Sequence, residues 1–166
     1  DVAYGNDSRL RKGLTDLGLT YVAGIQPNVL MWPSGTGPRR KGKPLNNTGR
    51  RDEPDLISAE ELALALPKRA WRTIRWREGS AEWLSSRFAR LRVGVGHNQL
   101  IPEALAEEWL LIEWPEGEPE PTKYSLSTLP EKISFRRLVD FAKLRWRIER
   151  DYQELKQEVG LGHYEG

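Results

Sequence analysis

Residues 134–166, SFRRLVDFAKLRWRIERDYQELKQEVGLGHYEG, carry the strongest helical signal in the chain. Phe141, Leu144, Ile148, Tyr152, Leu155 and Val159 recur at three- and four-residue steps, so a helix over residues 134–158 puts them on one apolar stripe. Gly160 closes it. At about 100° per residue, Arg145, Glu149 and Lys156 fall on a second line that borders the stripe. A carboxylate there is expected at the rim of the core, flanked by two cations. Divalent-metal chemistry on phosphodiesters needs an acid in such a place: rigid, beside a folded core, with cations near to grip phosphates. On the helix alone the plainer alternative stays open, a surface Glu149 ion-paired with Arg145 and Arg150.

Working outward, Asp7–Leu17 (DSRLRKGLTDL) reads as a short helix capped by Asp7 or Ser8, with Leu10, Leu14 and Leu17 at helical spacing and Gly18 closing it. Leu19–Ile25 (LTYVAGI) follows as a buried strand. Gln26–Asp55 loses all periodicity: it carries Pro27, Pro33, Pro38, Pro44 and Pro54 and the cations Arg39, Arg40, Lys41 and Lys43, as a functional or solvated loop does. Ser58–Leu66 restarts as a helix with a capping-box spacing between Ser58 and Glu61, and Pro67 stops it. The next section is β-rich. Ala70–Arg77 reads as a strand, and Ala89, Leu91, Val93 and Val95 alternate with Arg90, Arg92 and Gly94, which predicts a basic outer face. Trp109–Trp114 (WLLIEW) suits a strand buried on both faces, joined by a turn over Pro115–Pro121 to Lys123–Ser127.

Composition narrows the function. The 166 residues include no cysteine and only two histidines, His97 and His163, which removes disulfide frameworks, thiol nucleophiles and His-rich metal sites. No apolar run approaches the ~20 residues of a membrane span, so no membrane role is expected. The net charge of +2 conceals segregation: nine Lys/Arg against three Asp over residues 1–51, eight basic residues against Glu78 and Glu82 over 68–92, and seven Glu against Lys123 over 103–123. Basic blocks interleaved with tryptophan suit a polyanion surface, although mutually balancing solvated faces explain the same pattern.

Two motifs then carry a resemblance. Arg145-x3-Glu149-x6-Lys156 resembles the Y-x2-R-x3-E-x6-K signature of DDE transposases from bacterial insertion sequences, with Ala142 at the tyrosine position. DVAYGNDSRLRKGL resembles the D-x-x-Y-G segment bearing the second catalytic Asp of that family, and WRTIRWREG, SSRFARLRVGV and EEWLLIEWPEGEPEPTKYSLSTLP resemble the β-rich stretch between the motifs. The resemblance implies an α/β fold: a partial ribonuclease H-like core carrying a β-rich insertion before the C-terminal catalytic helix. Its segments are 1–25 in the core, 26–57 as the Pro/Gly/basic loop, 58–130 as the insertion and 131–166 as the catalytic helix with its following loop.

It also implies Asp1 and Glu149 as catalytic, metal-binding carboxylates and Arg145 and Lys156 as DNA-backbone contacts. The cofactor would be Mg2+ or Mn2+ in a two-metal site of the intact protein. The partners would be transposon-end and target DNA handled by a homodimer in the bacterial cytoplasm, and the chemistry phosphoryl transfer without a covalent enzyme intermediate. A chain opening on Asp1 reads as a fragment that lacks the first catalytic Asp and is therefore inactive by itself. Two rival readings are a non-catalytic nucleic-acid-binding module and a decayed transposon remnant. Among smaller features, the tryptophans Trp71, Trp76, Trp83, Trp109 and Trp114 are expected mainly in core packing, with stacking on a displaced base as the rival role. His163 is expected to favour a helix C-terminus.

Overall fold

The computed structural model describes residues 5–36, 56–77, 82–95 and 107–144. Helix α1 spans Ser8–Asp16, and the Asp7 carboxylate caps it by accepting from the amides of Arg9 and Leu10. Gly18 follows at φ +71°, a left-handed position that glycine takes without a Cβ penalty. The leucines of α1 do not form its buried face. Leu17 is 75% exposed and Leu10 also faces out, while Arg11 is the buried residue. The reason is electrostatic: Arg11 reaches Glu108, and that contact, which leucine spacing cannot reveal, sets the rotation of the helix.

Seven strands follow in one antiparallel sheet: β1 (Val22–Ile25), β2 (Leu30–Pro33), β3 (Ile57–Ser58), β4 (Arg72–Arg77), β5 (Trp83–Val95), β6 (Glu108–Pro115) and β7 (Lys123–Ser127). Their order is β1-β7-β6-β5-β2-β3, with β4 paired to β5 off this path. The 13-residue β5 organises the whole. One edge pairs with β6 from Ser86 to Val93. The other edge is shared, with β4 taking 83–88 and β2 taking 93–95, so residues 89–92 have no ladder partner on that side.

Two helices cover the two faces. Helix α2 (Ala59–Ala65) starts at the expected capping box: the Ser58 hydroxyl accepts from the Glu61 amide, and the Glu61 carboxylate accepts from the Ser58 amide. Those hydrogen bonds hold Glu61 below the usual carboxylate range. Ala59, Leu62 and Ala63 then pack on Ile25, Met31, Val93, Val95, Leu110, Ile112, Tyr124 and Leu126. Helix α3, described over 135–144, lays Phe135, Leu138, Val139 and Ala142 on the opposite face against Trp76, Phe88, Trp109 and Leu111. The architecture is mixed α/β, in agreement with a partial ribonuclease H-like fold.

Several local expectations give way. The apolar stripe assigned to the last helix begins on the wrong side: Phe141 and Leu144 are 39% and 45% exposed, while the sheet takes the line through Phe135, Leu138 and Ala142. Both lines have helical period, so the choice between them is made by fit to the sheet. Strand β2 forms inside the stretch that lacks periodicity, because β5 is long enough to offer it an edge. Trp32 of β2 lies across Gly94, where an added Cβ would meet the indole at 2.3 Å, so the glycine in the alternating strand is the seat of a buried tryptophan. Finally, Arg90 and Arg92 do not form a free basic outer face. They are half-buried, with their guanidiniums over Trp109 and, for Arg90, Phe135.

The strand expected buried over Leu19–Ile25 runs only over Val22–Ile25 and is half-buried up to Ile25, with Leu19 53% exposed, because β1 is an edge of the sheet. Other expectations hold. Trp109–Trp114 lies within β6, buried on both faces until Trp114, and the hairpin to β7 forms. Trp32, Trp76 and Trp109 are core residues. Trp71 meets Trp114 edge-on at 5.3 Å, and Trp83 is half exposed.

Candidate functional site

Asp1, Arg145, Glu149 and Lys156 all lie outside the described residues, as does His163. The structure does describe the chain immediately beside each motif. On the N-terminal side, Gly5 is pressed against the edge strand β1. A Cβ at Gly5 would sit 1.7 Å from the carbonyl oxygen of Gly24, so no other residue fits without moving the backbone. The neighbouring Asn6 side-chain oxygen accepts from the Gln26 amide at 3.0 Å. One turn later the Arg11 guanidinium lies 3.4 Å from Glu108, whose other carboxylate oxygen accepts from the Tyr21 hydroxyl. Burial, and then the Glu108 charge, push the Tyr21 phenol well above its ordinary value, so it stays a donor. The segment after Asp1 is thereby held to β1 and to the start of β6.

On the C-terminal side, the position of the signature's tyrosine is Ala142, buried against the sheet. Its neighbour Lys143 enters the core. The Lys143 ammonium donates to both carboxylate oxygens of Glu113 at 2.7 Å, and the Ser86 hydroxyl donates to one of them at 2.9 Å. Lys123 stands 3.9 Å from the same carboxylate. The ammonium also lies 4.1 Å from the centroid of the Trp76 ring and 5.5 Å from that of Phe88, so aromatic faces and a carboxylate share its desolvation. A buried charge survives only when it is paired and hydrogen-bonded in this way. The pair fixes the rotation and height of α3 over β6 at the described end of that helix.

These two anchorages use neighbouring strands but opposite faces: Glu108 is the register partner of Val93 on the α2 face, and Glu113 that of Phe88 on the α3 face. Gly24, which Gly5 touches, is the register partner of Ser125 on β7. Ser125 lines a small cleft together with Phe88, Leu111, Glu113, Lys123, Ala142 and Lys143. The described ends of the two motif segments therefore lie against neighbouring strands, β1 and β7, on one part of the sheet.

Sequence reasoning missed Lys143 and Glu113. The signal existed: Glu113 is the one charge in the apolar run WLLIEW, and Lys143 lies four residues after Val139 on the line that the sheet buries.

Among the described residues no three carboxylates or imidazoles converge as a metal site would require. Glu113 is occupied by Lys143 and Ser86, and Glu108 by Arg11 and Tyr21. The described carboxylates thus do not fit a divalent ion, and the only acids that the resemblance offers, Asp1 and Glu149, are not among them. No helix among the described residues is long and apolar enough to cross a membrane.

Comparison with known proteins matches residues 1–82 to a family model described as DDE superfamily endonuclease. Neither a curated protein nor a solved structure matches the chain.

Proposed function

We propose that this chain, which belongs over residues 1–82 to the DDE superfamily of endonucleases, carries two of the acids of a transposase active site. Asp1 and Glu149 are the carboxylates, and Arg145 and Lys156 hold backbone phosphates on either side of the scissile one. A divalent cation, Mg2+ or Mn2+, bound by those acids would neutralise charge on the phosphodiester as it is attacked. The substrate is DNA at insertion-sequence ends, followed by target DNA, handled in a homodimeric complex.

One observation carries this reading: Gly5 and Ala142, each the described end of its motif, lie against the adjacent strands β1 and β7, at Gly24 and beside Ser125. Helical phase supports it further. Carried forward at about 100° per residue, the buried line through Leu138 and Ala142 passes through Glu149, seven residues on.

The test is Glu149→Gln in the intact protein. Cleavage of a transposon-end duplex is lost while binding of that duplex is kept. Retained cleavage overturns the assignment of Glu149.

A further inference from the structure

The face of the sheet under α3 holds three guanidiniums in a row. Arg72 of β4 is the register partner of Phe88, which makes Arg90, two residues along β5, its diagonal neighbour on the same face. Both converge on one ring: the guanidinium carbons of Arg72 and Arg90 lie 5.7 Å and 5.0 Å from the centroid of Phe135. Arg92, the next residue on this face, shares the Trp109 ring with Arg90 at 5.0 Å and 4.4 Å.

Among the described residues no carboxylate pairs with Arg72, Arg90 or Arg92. The five ion pairs found there belong to Arg11, Lys12, Lys123, Arg136 and Lys143. The acceptors that the cluster does have are backbone carbonyls: Arg90 donates to Ile133 at 2.7 Å and Arg92 to Glu107 at 2.6 Å. Arg92 also keeps Nε and Nη1 buried without a hydrogen bond. Burial, and secondarily the Arg72 charge, pull the Arg90 pKa down. The aromatic rings and carbonyls offset part of the cost of gathering like charges, and an anion would offset more of it.

The location suits one. Phe135, whose ring lies beside both guanidiniums, opens α3, where the Ser134 hydroxyl accepts from the Arg137 amide, so the positive end of that helix dipole lies beside the arginines. Arg90 lies in the stretch of β5 between β4 and β2, and the Arg92 carbonyl closes that stretch by accepting from the Ser34 amide at 2.9 Å. Arg72 is exposed and Arg90 half-buried.

We propose that Arg72 and Arg90, with the N-terminal end of α3, form a phosphate-binding site for the backbone of duplex DNA, separate from the phosphate contacts assigned to Arg145 and Lys156. The proposal rests on the DDE reading only for the identity of the polyanion. The arginines recognise any phosphate, and the chain's family supplies duplex DNA as the source.

The test is fluorescence anisotropy of a labelled duplex oligonucleotide with the 166-residue chain across a KCl series. Arg72→Gln and Arg90→Gln each lower the magnitude of the log affinity against log salt slope by about 0.9 and weaken binding about tenfold near ~0.1 M salt. Arg9→Gln, on exposed α1, leaves the slope unchanged. Circular dichroism checks that Arg90→Gln folds. Should it not, Arg72→Gln decides alone, because that side chain is exposed. An unchanged slope in folded Arg72→Gln overturns the site. So does stabilisation of the wild-type chain by inorganic phosphate, lost in Arg72→Gln, with duplex binding the same in both. That result assigns the site to a free phosphate. Failure of the DDE reading looks different: Glu149→Gln then cuts DNA in the intact protein while the arginine variants still lose slope.

Discussion

Lys143→Met strips the cation from a carboxylate that has almost no access to water. Glu113 is 7% exposed at its side chain and would keep only the Ser86 hydroxyl at 2.9 Å and the Lys123 ammonium at 3.9 Å. Removing one partner of a buried pair costs about 3–5 kcal/mol, because the charge left behind must be neutralised or hydrated in place. Lys123 is 42% exposed and at the limit of contact, so its relief is small and a loss of about 3 kcal/mol is expected. For a chain of this size that is a fall of about 6–12 °C in Tm. The double variant Glu113→Leu/Lys143→Met removes both charges and returns to within about 1 kcal/mol of the parent. Urea unfolding followed by tryptophan emission reads both, since the Lys143 ammonium lies 4.1 Å from the centroid of the Trp76 ring. A single variant costing less than about 1 kcal/mol, or a double variant as unstable as the two singles summed, refutes the reasoning.

Ser58→Ala removes the N-cap acceptor of α2 and lowers stability by about 1 kcal/mol in the same urea assay. Gly94→Ala drives a methyl into the Trp32 indole and costs about 1–3 kcal/mol, with the crystal structure of the variant showing Trp32 displaced. Gly5→Ala lifts the segment after Asp1 from Gly24, so the intact protein loses cleavage while the sheet retains its circular dichroism. Alkali weakens the fold through tyrosine. Burial first, and then Glu60 and Glu120, push the Tyr124 phenol up to about 12. A phenol raised in the folded state favours folding fully below its unfolded value near ~10, and that contribution is lost as pH climbs toward the folded value. Ultraviolet titration at the phenolate band should show Tyr124 ionising about two units later than an exposed tyrosine.

Much of the scaffold was legible because it is local chemistry. The Asp7 cap, the Ser58–Glu61 box and the turn before β7 are each set within a few residues. What escaped was decided across the chain. β2 has four residues ending on Pro33, too few to show a period, and exists because β5 offers an edge. The sheet-facing side of α3 could not be chosen from periodicity, since Phe141 and Leu144 repeat as well as Leu138 and Ala142 do; the shape of the Trp76–Phe88–Trp109 surface decides. The outward turn of the α1 leucines follows from Arg11 reaching Glu108, 97 residues away. At the candidate site the motif spacing was legible. The Glu113–Lys143 anchor was not recognised, because a lone Glu in one strand and a lone Lys in one helix become a pair only when the two elements stack.

The divided edge of β5 also bears on how such a protein changes over generations. The β4 hairpin is fastened to one half of that strand and β2 to the other, with residues 89–92 between them. Adding a pair of residues to each arm of the hairpin keeps every side chain on its original face, because the strand repeat is two. The attachment of β2, the seat of Trp32 and the layer under α2 would be untouched. Descendants of this fold can therefore alter the reach of that arm and leave the rest of the machine in place.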